Sequence, residues 1–196
     1  MQSPTLLKPS DYRRMPWKNG LGETIEIAVF PRGAGIGDFD WRVSMATVAT
    51  DGPFSLFPGI ERTLSVLSGD GLTLYRADGT AHGMHEDSAP YSFPADEQVD
   101  ATLAGGPITD LNVMTRRGRF HHRVERVHLD GSVALPAGED TVLVFCLQGQ
   151  ASLREGAGST LIGAGESLLF GEAVPGTILV GQGIFFIVEL FDSDSL

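Results

Sequence analysis

Cysteine is nearly missing from this 196-residue chain. The one present, Cys146, sits inside the apolar run Val142-Leu143-Val144-Phe145-Cys146-Leu147. That excludes an intrachain disulfide framework and a multi-cysteine zinc site, and it reads as an ordinary buried thiol. Positive charge is also short, with 14 Lys+Arg against 25 Asp+Glu for a net charge of −11. Lys8 and Lys18 are its only lysines. Such a balance opposes the dense cationic face that nucleic acid or an anionic membrane surface would require. Long hydrophobic runs are lacking too. The stretch from Gly183 to Phe191 is interrupted by Glu189 and falls far short of the ~20 residues a membrane helix needs. No basic stretch followed by an apolar core occurs in the first twenty residues, so no secretory signal is predicted and the cytoplasm is the expected location.

Helical periodicity is the last absence, for 25 Gly and 11 Pro punctuate the chain and no long segment places apolar residues at i, i+3, i+4 and i+7. What recurs instead is period two: Ile25, Ile27 and Val29; Trp41, Val43 and Met45; Leu64 and Val66; Leu72 and Leu74. Short apolar runs follow at Thr141–Leu147, Ser167–Phe170 and Phe185–Leu190. Short strands between turn signals predict an all-β sandwich or barrel. A faint repeat adds detail, because Arg62–Gly69 and Val142–Gly149 superpose at an offset of 80 residues, each expected to turn at glycine into a second strand. In the later copy Ala151-Ser152-Leu153 leads to Leu161-Ile162-Gly163-Ala164-Gly165-Glu166-Ser167-Leu168-Leu169-Phe170. This order resembles the cupin jelly roll, and two copies predict a double jelly roll, or bicupin. The expected division is a first half over residues 1–118 carrying a pocket and a second half over residues 119–196 serving mainly as scaffold.

Four blocks are more specific. They are Pro16-Trp17-Lys18-Asn19-Gly20-Leu21-Gly22, Phe39-Asp40-Trp41-Arg42-Val43-Ser44, the loop Asp51-Gly52-Pro53-Phe54-Ser55-Leu56-Phe57-Pro58-Gly59 before Arg62, and Gly106 to Gly118. In this order they resemble the HutD/Ves family, named for its association with histidine utilisation, over essentially the whole chain. The resemblance implies a bicupin fold and a small-molecule binder or regulator of histidine breakdown, without an assigned reaction. Urocanate and N-formylglutamate are carboxylates of suitable size within that pathway.

Alternation on strands gives these blocks a geometry. Arg62 shares a face with Leu64 and Val66, Arg42 with Ser44, and Arg116 with Asn112 and Met114. Guanidinium forks suit carboxylates, an asparagine amide both donates and accepts, and a lysine adds a point charge. Trp17, Lys18, Asn19, Arg42, Ser44, Arg62, Asn112 and Arg116 are therefore the candidate ligand-binding set, in which Arg42, Arg62 and Arg116 with Lys18 and Asn19 would make a carboxylate-binding mouth. Alternatives stay open. Arg42 with Ser44 also fits the solvated face of a half-buried strand, Arg62 also fits a strand-end pair with Asp110 or Glu61, and Trp17 and Trp41 also fit core or lid packing. Arg117, Arg119 and Arg123 read as surface charges. The glycines near Asn19 read as a tight turn, since no Gly-Lys-Ser/Thr follows them.

No His-x-His pair exists, so the usual source of two cupin metal ligands is missing. His82 and His85 in Ala81-His82-Gly83-Met84-His85-Glu86 read as a mobile loop, and with Glu86 they are the residual metal candidates; His121, His122 and His128 form no ligand set. No metal or other cofactor is predicted, and no Gly-x-Ser-x-Gly nucleophile is present. The leading expectation is non-catalytic recognition of a small carboxylate metabolite, in a protein compatible with a homodimer. An isomerase or hydrolase would need Glu23, Glu26 or His85 in the same pocket. A third alternative is a protein that docks on a partner by its surface.

Overall fold

The computed structural model describes residues 4–17, 22–138, 141–171 and 175–193. Among them there is no α-helix. The strands are β1 (Thr5–Leu7), β2 (Arg13–Pro16), β3 (Glu23–Phe30), β4 (Trp41–Val48), β5 (Gly52–Pro53), β6 (Ile60–Ser68), β7 (Leu72–Arg76) and β8 (Ala81–Met84). They continue with β9 (Tyr91–Pro94), β10 (Val99–Leu103), β11 (Ile108–Arg116), β12 (Phe120–Ala134), β13 (Thr141–Glu155), β14 (Gly158–Gly163), β15 (Ser167–Phe170) and β16 (Ile178–Asp192). Every segment with period two in the sequence lies in one of these strands.

Two compact units result. One is Arg13–His121; the other joins Met1–Tyr12 to His122–Leu196. The N-terminal segment belongs with the second because β1 pairs with β15, Leu6 opposite Leu168, and the Tyr12 hydroxyl lies 2.8 Å from Ser167 Oγ. In that second, C-terminal unit the sheet order is β1-β15-β13-β16-β12, with β14 on β13, around an apolar cluster that includes Val142, Val144, Cys146, Leu168, Phe185 and Ile187. Cys146 is fully buried, and burial pushes its thiol up to about 11. One expectation fails here. Gly149 does not end its strand, since β13 runs on to Glu155, with a shift in its register to β16 between Cys146 and Gln148.

The Arg13–His121 unit has two sheets, ordered β2-β3-β4-β11-β6-β9 and β5-β10-β7-β8. They enclose a cluster in which Leu64, Val66, Phe93 and Ile108 of the first meet Leu72, Leu74, Met84, Val99 and Ala101 of the second. The expected loop at Ala81 is a correction: Ala81–Met84 is strand β8, paired to β7 with Met84 opposite Leu72. Met84 explains it, being an apolar side chain buried in that cluster. A second cluster, Phe39, Ile60, Ala95 and Met114, occupies the other end of the same face.

Candidate functional site

Between these two apolar clusters lies a polar band. On β6 the inward residues run Ile60, Arg62, Leu64, Val66; on β11 they run Ile108, Asp110, Asn112, Met114. Antiparallel pairing joins the rows: Met114 faces both Arg42 of β4 and Arg62 of β6, Asn112 faces Ser44 and Leu64, and Asp110 faces Ala46 and Val66. Glu26 of β3 extends the row beyond Ser44. Paired residues share a face, so Glu26, Arg42, Ser44, Arg62, Asp110 and Asn112 all enter the interior of one sandwich. All six are buried. The solvated-strand alternative for Arg42 and Ser44 is thereby removed.

Arg42 is matched from within, its Nε donating to Glu26 Oε2 at 2.7 Å. Arg62 is different. It is 2% exposed, its Nη2 donates to the Ser55 carbonyl at 3.2 Å, and its Nε has no hydrogen-bond partner. The rings of Phe54, Phe57 and Phe93 surround its guanidinium with centroids at 5.3, 5.2 and 5.8 Å, so ring quadrupoles offset part of the lost hydration. Burial pushes Arg62 down to about 10, against a partial offset from the charge of Asp110. Asp110 is wholly buried; Asn112 Nδ2 donates to its Oδ1 at 2.5 Å, whereas its Oδ2 has no partner. Desolvation pushes this carboxyl up to about 7, although Arg62, the Ala46 backbone and Asn112 all favour its charged form. An orphan donor and an orphan acceptor thus sit within electrostatic reach of each other, inside the protein.

The other predicted residues divide. Trp17 is half-buried and donates from Nε1 to Thr24 Oγ1 at 2.9 Å; Thr24 pairs with Ala46 in the row that holds Asp110, which places the indole at that end of the band. Lys18 and Asn19 lie outside the described residues. Arg116 is not brought to the site. At the end of β11 it is 30% exposed, and it donates to the Phe39 and Gly37 carbonyls at 3.1 and 3.0 Å, beside Asp40. The loop before β4 occupies its guanidinium. Sequence reasoning placed Asp110 and Glu26 only as alternatives, and it treated Phe54, Phe57 and Phe93 as no part of the site. Phe54 and Phe57 carry a signal in the aromatic spacing of the loop before Arg62, whereas Phe93, on β9 opposite Arg62, carries none.

The remaining titratable candidates have structural partners. Glu23 meets Arg14 at 2.9 Å near the surface, His82 stacks on Tyr91 at 3.9 Å, His85 Nδ1 lies 3.3 Å from Ser88 Oγ, and Glu86 accepts from the Gly69 N–H. Among the described residues no group of three His, Cys, Asp or Glu is arranged to hold a metal ion. No helix among them is long and apolar enough to cross a membrane.

Two jelly-roll units in one chain make this a bicupin, the fold shared with pirin YhhW of Escherichia coli at 10% identity, TM-score 0.69 and 97% coverage of both chains. The HutD family model matches residues 9–181, and the chain belongs to the HutD family. HutD from Pseudomonas fluorescens SBW25 is 31% identical with a TM-score of 0.82, over 97% of this chain and 99% of that one. An uncharacterised 21.2 kDa protein from the hutC 3′ region of Pseudomonas putida is 39% identical across 71% of this chain and 72% of its own length. Protein Ves of Citrobacter koseri is 43% identical over 118 residues, a match that spans 60% of that protein and 58% of this one.

Proposed function

We propose that the interior of the Arg13–His121 unit binds a small carboxylate metabolite without transforming it, and that this binding reports on histidine breakdown. The observation that carries the reading is Arg62, a buried guanidinium with an unpartnered Nε and no carboxylate in ion-pair contact among the described residues. A buried charge left in that state is costly, and an anion delivered by a ligand removes the cost. The hutC neighbourhood of the Pseudomonas putida relative, together with the formate condition of the Pseudomonas fluorescens HutD structure, supports carboxylates of histidine catabolism as the class to test. Urocanate and N-formylglutamate are the first two.

Calorimetric titration of wild type, Arg62→Ala and Arg62→Met with both compounds tests this, run beside thermal melts. The methionine variant keeps an apolar stem among the three phenyl rings while deleting the guanidinium fork. Loss of roughly 2–5 kcal/mol of binding in both variants is expected. Normal affinity paired with a lowered melting temperature would return Arg62 to the scaffold. Proton NMR of the same mixtures should show unchanged ligand; turnover would make the protein an enzyme.

A further inference from the structure

Two buried atoms of opposite character lack partners in the same polar band, Arg62 Nε as donor and Asp110 Oδ2 as acceptor. The two side chains influence each other electrostatically without closing an ion pair. A ligand carboxylate alone satisfies only the donor. Its second oxygen would face a carboxylate oxygen, an arrangement in which like charges repel and neither is solvated. One proton removes the conflict. We propose, resting on the carboxylate reading above, that this site takes up its anion together with a proton, held on Asp110 Oδ2 and donated to one ligand oxygen while Arg62 Nε–H donates to the other. The balance is simple: ligand anion, ionised Asp110 and one solvent proton give a complex with neutral Asp110, and no covalent bond of the ligand changes.

The surroundings favour this assignment. The charge of Arg62 on β6 acts on Asp110, and Arg42 of β4, across β11 from Arg62, is already neutralised by Glu26 of β3 at 2.7 Å. The opposing strands β7 and β10 bring the apolar Leu72, Leu74, Val99 and Ala101. With Asp110 neutral, the four ionisable groups of the band sum to one positive charge, the right complement for a monoanion. With Asp110 ionised they sum to zero. The position of its carboxyl, up at about 7, puts this exchange in the neutral range.

N-formylglutamate and formate are suitable probes because carboxyls of their kind titrate well below pH 6. Affinity measured by calorimetry should be about tenfold weaker at pH 8 than at pH 6. Repeating the pH 8 titration in buffers of different ionisation enthalpy should reveal uptake of nearly one proton per ligand. Asp110→Asn should bind with the same affinity at both pH values and take up no proton; should that variant fail to fold, the wild-type buffer dependence decides alone. Equal wild-type affinities without proton uptake would overturn the proton coupling and leave carboxylate binding intact. Absence of binding at either pH would overturn both.

Discussion

Arg42 and Glu26 show what the interior of this unit demands of a charge. Their side chains are 4% and 9% exposed, and Nε meets Oε2 at 2.7 Å. Each group was stripped of water to enter the sandwich, and each is tolerated only because the other stands opposite. Removing one partner is then worse than removing both. Glu26→Gln should destabilise the unit by about 3–5 kcal/mol, whereas Arg42→Met combined with Glu26→Leu should come within about 2 kcal/mol of wild type. Urea unfolding of the three proteins checks this, and a single variant no less stable than the double would contradict the pairing. Arg62 obeys the same rule by other means, with three aromatic rings and one carbonyl in place of a carboxylate. Its position was legible from alternation alone, since Arg62, Leu64 and Val66 had to share a face. Which of Asp110, Glu61 or a ligand supplies the anion was not legible, because that depends on cross-strand register, and register is set by β11 lying between β4 and β6.

At the scale of elements, β11 is the organiser of the site. It pairs with β4 on one side and β6 on the other, and a shift between Thr109 and Asp110 adjusts its register to β6. The loop over residues 51–59 is the second device, since it brings Phe54, Ser55 and Phe57 onto Arg62. Sequence marked that block as specific without giving a reason for its aromatics; the reason is a contact to a residue on the next strand, which no local pattern expresses. The opposite lesson comes from β13. A glycine after an apolar run reads as a turn, yet Gly149 is held inside a fifteen-residue strand at φ 90° because a Cβ there would be driven into the Gln182 carbonyl of β16. Close backbone approach, not chain reversal, is its role. Gly149→Ala should therefore cost at least about 1–3 kcal/mol. By contrast Gly156→Asn, at φ 56° with nothing near its Cβ position, should stay within about 1 kcal/mol of wild type. Comparable melting temperatures for the two variants would contradict this account of Gly149.

The whole molecule contains two units but only two tryptophans, Trp17 and Trp41, and both lie in Arg13–His121. Tryptophan fluorescence therefore follows the unfolding of the unit that holds the polar band, whatever the other unit does. That unit stores a liability at Asp110, whose carboxyl is pushed from 3.8 up to about 7 by burial. Between those two values the folded state binds more protons than the unfolded state, so stability falls as pH rises through the window and levels off above it. The direction is opposite to that of a carboxylate held below its ordinary range by an ion pair. Integrated from pH 5 to pH 8, the loss is roughly 2–3 kcal/mol. Asp110→Asn, which keeps the shape and cannot ionise, should abolish this part of the slope. Its urea midpoint should exceed that of wild type at pH 8, and the gap should narrow at pH 5. A carboxylate ligand that brings a proton with it would instead carry the wild-type fall on above pH 7, because the complex keeps Asp110 neutral where the free folded protein ionises it. Fluorescence-monitored urea curves at pH 5 and pH 8, for both proteins, decide the matter. A wild-type unit that is more stable at pH 8 than at pH 5, by as much as the asparagine variant, would show that Asp110 is ionised without penalty and has found a partner for its second oxygen.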